Sequence, residues 1–411
     1  MTHDVSPAVQ SGTAPAAGTD SYFATSSTGR LIGLDLARGL AILGMYAAHV
    51  GPEPSEGGAL GFVMELARGR SAALFALLAG FSLILLTGWP QPRTGRAGRQ
   101  AMGRVLIRSV VLVAVGYALV ALDTDVDVIL AAYGLLFVLA LPLYRLRAAT
   151  LAVIAAAMTL VLPQVLYLIR IAVEDGNWAD AVIDYDPLAR VTDTDGVIEL
   201  FITGPYPVLT WLPFIIAGMA LAKLDLGRPG MLGKLAMYGV ALAVLGYGGS
   251  WLALRFVPGA QADVNAATDT SAAASAWWSD GVGEDPTPGV PAWLLVAAPH
   301  SQTTWSIAGN TGVALAVLAA CLVATNRSAR LRWLAAPVTA VGSIALTAYV
   351  GHIIAIKALG IEDLPDSATL PAFICFAVGA MLLALVWTRF FRRGPLEYLL
   401  RASTAPARLI K

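Results

Sequence analysis

The chain has 411 residues, of which 57% are hydrophobic and 13% are charged, and its mean hydropathy is +0.70. This composition excludes a soluble globular protein and predicts a protein that crosses a membrane several times. The 27 basic and 27 acidic residues leave no net charge. A neutral chain of this kind is not expected to bind nucleic acid.

Apolar windows, taken in chain order, predict an all-α bundle of about ten transmembrane helices. Residues 1–29 are rich in Ala, Ser, Thr and Gly and predict a disordered cytoplasmic tail. Windows of about 20 apolar residues mark the spans. They cover residues 31–50, 71–88, 105–122, 128–144, 149–172, 206–223, 235–254, 303–325, 335–359 and 369–391. We therefore expect one transmembrane domain at 30–400 and a short cytoplasmic tail at 401–411.

The charges between the spans predict which side each loop faces. Arginine and lysine concentrate in alternate segments, such as 93–108 and 389–411, and such segments remain in the cytoplasm. The other loops are acidic and include two long outer loops at 173–205 and 255–302. This asymmetry predicts a multi-pass plasma membrane protein with both termini in the cytoplasm.

The first span carries polar side chains that are costly in hydrocarbon. At about 100° per residue, Arg38 and His49 lie within roughly 20° of each other, and Asp35 and Tyr46 lie on the same stripe. Ionisable residues inside a span are candidates for function by default. The stripe therefore predicts chemistry or transport along this helix, with Tyr46 as a candidate substrate contact.

Three histidines from distant parts of the chain are expected at one depth. His49 ends the first span, His300 precedes the eighth, and His352 lies in the outer half of the ninth. Histidine is the side chain best suited to proton transfer near neutral pH, so the three are candidate catalytic residues. Two alternatives remain: separate histidines bonded to backbone, or a three-histidine zinc site aided by Glu53.

Other polar residues near the outer ends of the spans are further candidates. Arg70 opens the second span and is expected either to bind an anionic group or stabilise a developing oxyanion, or simply to extend its side chain to the membrane interface. Ser71 beside it and Ser301 beside His300 are candidate substrate contacts.

Arginines near the cytoplasmic ends predict a site for a phosphate-bearing donor. Asp35 and Arg38 are three residues apart and can pair on one helix face. Arg38 either locks helices together through this pair or faces phosphates, together with Arg104, Arg108 and Arg332. The planar guanidinium binds phosphate through two parallel hydrogen bonds, which favours arginine for this task.

Several segments also carry a resemblance to known membrane enzymes. They are GRLIGLDLARGLAILGMYAAHV followed by GRSAALFALLAGFSL, then TGPYPVLTWLPFIIAGMALAKLDL, APHSQTTWSIAGNTGVALAVL, VGSIALTAYVGHII and RRGPLEYLLR. In this order the chain resembles the integral-membrane acyltransferases, in particular the bacterial relatives of heparan-α-glucosaminide N-acetyltransferase.

The resemblance implies transfer of an acyl group from cytosolic acyl-CoA, with acetyl-CoA the expected donor, to an extracytoplasmic hydroxyl or amine. His49 matches the catalytic histidine of the family. It would act as a base or carry the acyl group itself, and no metal is expected. The acceptor would be a sugar, a glycolipid or another envelope component, and a homodimer remains open. The alternatives are a proton-coupled transporter using Asp35, Arg38 and the outer histidines, or a non-catalytic scaffold.

Overall fold

A computed structural model describes residues 20–89, 91–174, 176, 178–192, 195–283 and 289–411. Residues 1–19 of the predicted tail therefore lie outside the described residues. The described chain is all-helical, as predicted, and contains no β-strand. Its helices are α1 (Asp20–Val50), α2 (Gly58–Ala67), α3 (Arg70–Thr87), α4 (Gly95–Val120), α5 (Leu130–Ala140), α6 (Ala148–Glu174), α7 (Trp178–Tyr185), α8 (Pro187–Thr192), α9 (Val208–Ala222), α10 (Met231–Ala243), α11 (Gly249–Phe256), α12 (Ala260–Thr268), α13 (Thr304–Arg327), α14 (Ala329–Leu334), α15 (Ala336–Ser343), α16 (Ala345–Leu359), α17 (Asp366–Phe390) and α18 (Pro395–Ala402).

Each predicted span coincides with a helix or with consecutive helices of this bundle. Six helical stretches of the described chain are long and apolar enough to cross a membrane, and a seventh if the bent pair α15–α16 is one span. They are Gly58–Thr87, Gly95–Val120, Ala148–Glu174, Met231–Phe256, Thr304–Arg327 and Asp366–Phe390. The protein is therefore a multi-pass membrane protein, and the count of about ten stays a prediction. α1 is not among the six.

α1 is in contact with helices from several parts of the chain. It packs against α3, α13, α15, α16 and α17. The contact with α15 is close because both helices present glycine there. A Cβ atom at Gly342 would overlap the carbonyl oxygen of Asp35, and one at Gly39 would overlap that of Val338. Small residues permit such approaches in membrane bundles, where packing contributes most of the attraction between helices.

The chain bends sharply between α15 and α16, where the two helix axes differ by 88°. The first N–H groups of a helix have no partner within the helix itself. Here the carboxylate of Glu397, on α18, accepts hydrogen bonds from the N–H of Leu346 at 2.7 Å and of Thr347 at 3.2 Å. It also accepts from the Thr347 hydroxyl at 2.6 Å. α18 therefore fixes the start of α16.

We call the two ends of the bundle the outer end and the inner end, and define each by residues that lie there. The outer end carries His49, and there Lys357 Nζ also donates to the Asp123 carbonyl. The inner end carries the start of α4, where Gln100 donates to the carbonyls of Arg408 and Ile410. The acidic loops and the arginine-rich segments thus lie at opposite ends, although their sides of the membrane remain a prediction.

The long outer loop at 255–302 folds around a small apolar core of its own. Leu254, Val264, Ala276, Trp293 and Val296 are buried together in it. The PAWLL segment at 291–295 forms a 3-10 helix there.

Gly342→Ala is expected to destabilise the bundle by about 1–3 kcal/mol, since overpacking forces backbone shifts. The added methyl would push α15 away from α1. Thermal unfolding in detergent measures the loss. The matched control is Gly379→Ala in α17, where a Cβ meets nothing within 4 Å. Equal melting temperatures for the two variants would contradict this packing.

Candidate functional site

Two of the three predicted histidines form a hydrogen-bonded pair. His49 Nδ1 lies 3.0 Å from His352 Nε2, and the two rings are nearly parallel, with an interplanar angle of 6°. His352 Nδ1 in turn contacts the carbonyl oxygen of Tyr349. His352 is 3% exposed, so this chain of contacts leads from a buried carbonyl towards the protein surface.

The direction of these hydrogen bonds follows from the carbonyl at the buried end. A carbonyl oxygen only accepts, so His352 Nδ1 must carry the proton. In neutral His352, Nε2 is then an acceptor, and His49 Nδ1 must donate to it. In neutral His49, Nε2 is therefore left with a free lone pair. Among the described residues no hydrogen-bond partner is seen for that nitrogen, and the arrangement suits a general base.

Tyr46 holds the inner imidazole in place. Its ring stacks on His352 with the centroids 4.7 Å apart, and its hydroxyl donates to the Ala348 carbonyl at 2.8 Å. Tyr46 belongs to the polar stripe of α1 that the sequence predicts, and in the structure its neighbour on α16 is His352. Its predicted contact with substrate stays a prediction.

His49 opens onto a cavity of about 360 Å³ at the outer end. His300, Tyr206 and Arg68 also line it. Carboxylates dominate the remaining polar lining: Glu53, Asp125, Asp127, Glu362 and Asp366. The cavity therefore combines two imidazoles with an acidic rim.

His300 reaches this cavity from a strained loop. The φ angles of His300 and Gln302 are +57° and +59°, a region that non-glycine residues rarely adopt. Gln302 Nε2 donates to the Pro205 carbonyl at 3.0 Å, and its Oε1 accepts from the Thr210 hydroxyl at 2.7 Å. These bonds stabilise the strained turn, and strain of this kind is concentrated at functional sites. No sequence pattern marked Gln302.

Arg70, by contrast, is buried and committed to the protein itself. Its Nη1 donates to the Glu65 carbonyl at 2.7 Å and its Nη2 to that of Trp278 at 2.5 Å. Its Nε donates to the Tyr247 hydroxyl at 3.1 Å, and the guanidinium lies over the Tyr247 ring. Arg70 thus fastens the outer loop to α2 and α3. Its predicted catalytic role stays a prediction that these contacts do not favour.

The arginine at the cavity is Arg68, which the sequence did not single out. It pairs with Glu53 at 2.7 Å and with Asp280 of the outer loop. Arg68 and Arg70 are two positions apart in the sequence. Their contacts differ because the distant loop at 278–280 offers the Asp280 carboxylate to Arg68 and the Trp278 carbonyl to Arg70.

The two candidate serines have different surroundings. Ser71 packs against α1, where a Cβ at Gly44 would overlap its hydroxyl. Ser301 is 1% exposed, and its hydroxyl has no hydrogen-bond partner among the described residues. It faces a small separate pocket beside Trp293 and Arg170. Their predicted substrate contacts stay predictions.

Of the four arginines predicted at the donor site, two have hydrogen-bond partners among the described residues. Arg38 pairs with Asp35 at 2.7 Å and donates to the Ser82 hydroxyl at 2.7 Å. Arg332 donates to the Thr325 carbonyl at 2.8 Å. Arg104 is instead repelled electrostatically by Arg93 and Arg408, and Arg108 by Arg104, Arg393 and Arg401. The structure therefore does not gather all four predicted arginines through a common contact.

The zinc alternative finds no support in the geometry. Among the described residues, no group of three or more His, Cys, Asp or Glu side chains is placed to hold a metal ion. The His49–His352 hydrogen bond also directs two of the ring nitrogens at each other.

Comparison with known families adds one finding. Residues 289–406 match the family described as "Protein of unknown function (DUF418)". This is a family of membrane proteins. The matched segment includes His300, His352, the bend between α15 and α16, and α18, whereas His49 lies outside it. No curated protein matches the chain.

Arg70→Lys is expected to loosen the outer loop, because an ammonium group cannot reach two carbonyls and a hydroxyl in the fixed geometry of a guanidinium. Hydrogen exchange at residues 276–280 should become about tenfold faster, since hydrogen bonds to a charged group contribute roughly 1.5–3 kcal/mol each. Arg255→Lys, on exposed α11, is the control. Unchanged exchange in the Arg70 variant would show that the loop does not depend on this side chain.

Proposed function

We propose that this protein is a membrane acyltransferase that moves an acyl group from cytosolic acyl-CoA to an extracytoplasmic hydroxyl or amine. The observation that carries the proposal is the Tyr349–His352–His49 chain of contacts, which ends at the imidazole of His49 in the lining of the cavity. The resemblance to heparan-α-glucosaminide N-acetyltransferase relatives supports it independently, because the matching histidine is His49. The protein would lie in the plasma membrane with both termini in the cytoplasm.

The proposed reaction needs little more than a base and an oriented acceptor. A thioester is already activated, so the acceptor oxygen or nitrogen attacks its carbonyl carbon while His49 Nε2 takes the acceptor's proton. The carbon–sulfur bond then breaks, and the His49 imidazolium returns the proton to the departing thiolate. His352 accepts from His49 Nδ1 throughout and so stabilises the positive charge on His49.

The position of α1 fits a donor that enters from the inner end. Arg38 and His49 are roughly 16 Å apart along the helix. An extended pantetheine arm is of that order of length. A pantetheine arm lying along α1 would thus span the distance from the level of Arg38 to His49.

A second candidate is a proton-coupled transporter, and one observation favours it. Transporters use broken helices around their binding sites, and the α15–α16 pair is broken by 88°. The sequence lacks an internal repeat that would place a second break in a corresponding position. We therefore rank acyl transfer first.

The test is acyl transfer by purified protein in nanodiscs, with acetyl-CoA and longer acyl-CoAs offered together with amine and sugar acceptors. Wild type should release CoA and form acylated product, measured by mass spectrometry. His49→Gln should lower the rate by about 10²-fold or more, the typical contribution of a general base. Thr388→Ala, which changes α17 away from the cavity, should leave the rate unchanged.

Two results would contradict the proposal. One is full activity of His49→Gln. The other is no acyl product with any donor and acceptor, together with proton uptake into liposomes that requires His49, which would establish the transporter instead.

A further inference from the structure

Six arginines at the inner end are linked by electrostatic repulsion, and we call them the arginine cluster: Arg93, Arg104, Arg108, Arg393, Arg401 and Arg408. The C-terminal segment brings them together by packing along α4. Gln100 Nε2 donates to the carbonyls of Arg408 and Ile410, both at 3.1 Å. A Cβ at Gly103 would overlap the Ile410 side chain, so the two segments are in close contact.

The cluster concentrates positive charge that the described residues do not neutralise. Arg108 experiences repulsion from Arg104, Arg393 and Arg401, and Arg104 from Arg93 and Arg408. Within the described ranges, none of the six forms an ion pair with a carboxylate; the ion pairs found there involve Arg38 and Arg68. Glu397 lies between Arg393 and Arg401 on the chain, yet its carboxylate is bonded to the start of α16.

Arg108 adds a second and independent observation. Its Nε is buried and has no hydrogen-bond partner among the described residues. A buried donor without a partner is costly and is rare in folded proteins. The buried arginines at the outer end differ in this respect: Arg70 uses all three of its guanidinium nitrogens. Among the described residues, no carboxylate pairs with the arginines of the cluster.

We propose that the arginine cluster is a binding site for a phosphate-bearing anion. Phosphate oxygens accept several hydrogen bonds at once, and guanidinium groups match them in geometry and charge. Several guanidiniums from α4, the segment before α18, and the C-terminal segment would surround one ligand. Binding would also tie the C-terminal segment to α4 and so hold Glu397 at the start of α16.

The identity of the ligand rests on the proposed function. In an acyltransferase that uses acyl-CoA, the ligand of the arginine cluster would be the diphosphate and 3′-phosphate of CoA. The proposed site differs from the one expected from the sequence, because Arg38 and Arg332, which have other partners, are replaced by four residues from the loop before α4 and from the C-terminal region. A phospholipid headgroup has the same phosphate chemistry and is the other source that the site would accept.

The test measures CoA binding by titration calorimetry to full-length protein in nanodiscs of phosphatidylcholine. Arg108→Gln and Arg393→Gln should each weaken CoA binding about tenfold, as expected for losing a hydrogen bond to a charged group. Arg330→Gln, on exposed α14, is the control and should bind like wild type. Without ligand, Arg108→Gln should melt at the same or a higher temperature, since it removes repulsion, which separates lost binding from lost folding.

A parallel arm identifies a lipid source. Nanodiscs that contain phosphatidylglycerol should yield retained lipid in native mass spectrometry of wild type, and less of it in the two variants. CoA binding supports the site with a soluble ligand, and retained phosphatidylglycerol supports it with a lipid ligand. Neither ligand bound, or equal binding by wild type and both variants, would overturn the proposal.

The same titration on His49→Gln separates this inference from the proposed function. CoA binding that persists in this variant, with no transfer by wild type, would leave the site standing and refute the acyltransferase. If wild type transfers acyl groups but the arginine substitutions leave the CoA affinity unchanged, the acyltransferase stands and the arginine cluster is refuted as the binding site.

Discussion

The carboxylate of Glu397 fixes where α16 begins, and the position of the paired histidines depends on that start. After the 88° bend, the N–H groups of Leu346 and Thr347 have no helical partner, and Glu397 accepts from both. A negative charge is also favourable at a helix N-terminus. From there α16 runs beside the outer half of α1, so that His352 meets His49. A shift of one residue would turn His352 by about 100° and break the pair.

Charge is sorted to the two ends of the bundle, and α1 connects them. The outer cavity joins His49 and His300 to an acidic rim, while the inner end carries the arginine cluster. Between them Arg38 is paired with Asp35, so the middle of α1 contributes little net charge. A substrate with phosphates at one end and a reactive carbonyl at the other fits this separation, which links the two proposals physically.

The sequence predicted the helices well, because hydropathy is a local property and each apolar window coincides with helix. It also placed His49, His300 and His352 at one end, where the structure brings His49 against His352 and sets both His49 and His300 at the cavity. The bend at Ile344 was not predictable, since neither glycine nor proline occupies that position. The roles of Arg68 and Arg70, the strained turn at Gln302 and the position of Glu397 depend on contacts between distant segments, which local patterns do not encode.

The central claim is that neutral His49 presents an unprotonated Nε2 to the outer cavity. The most direct measurement is ¹⁵N NMR of histidine-labelled protein in lipid at neutral pH, with the signals assigned by loss in His49→Gln and His352→Gln. We expect both histidines to carry the proton on Nδ1, with the Nε2 signal of each at the position of an unprotonated nitrogen. A His49 signal showing a proton on Nε2, or a protonated imidazolium, would contradict this account.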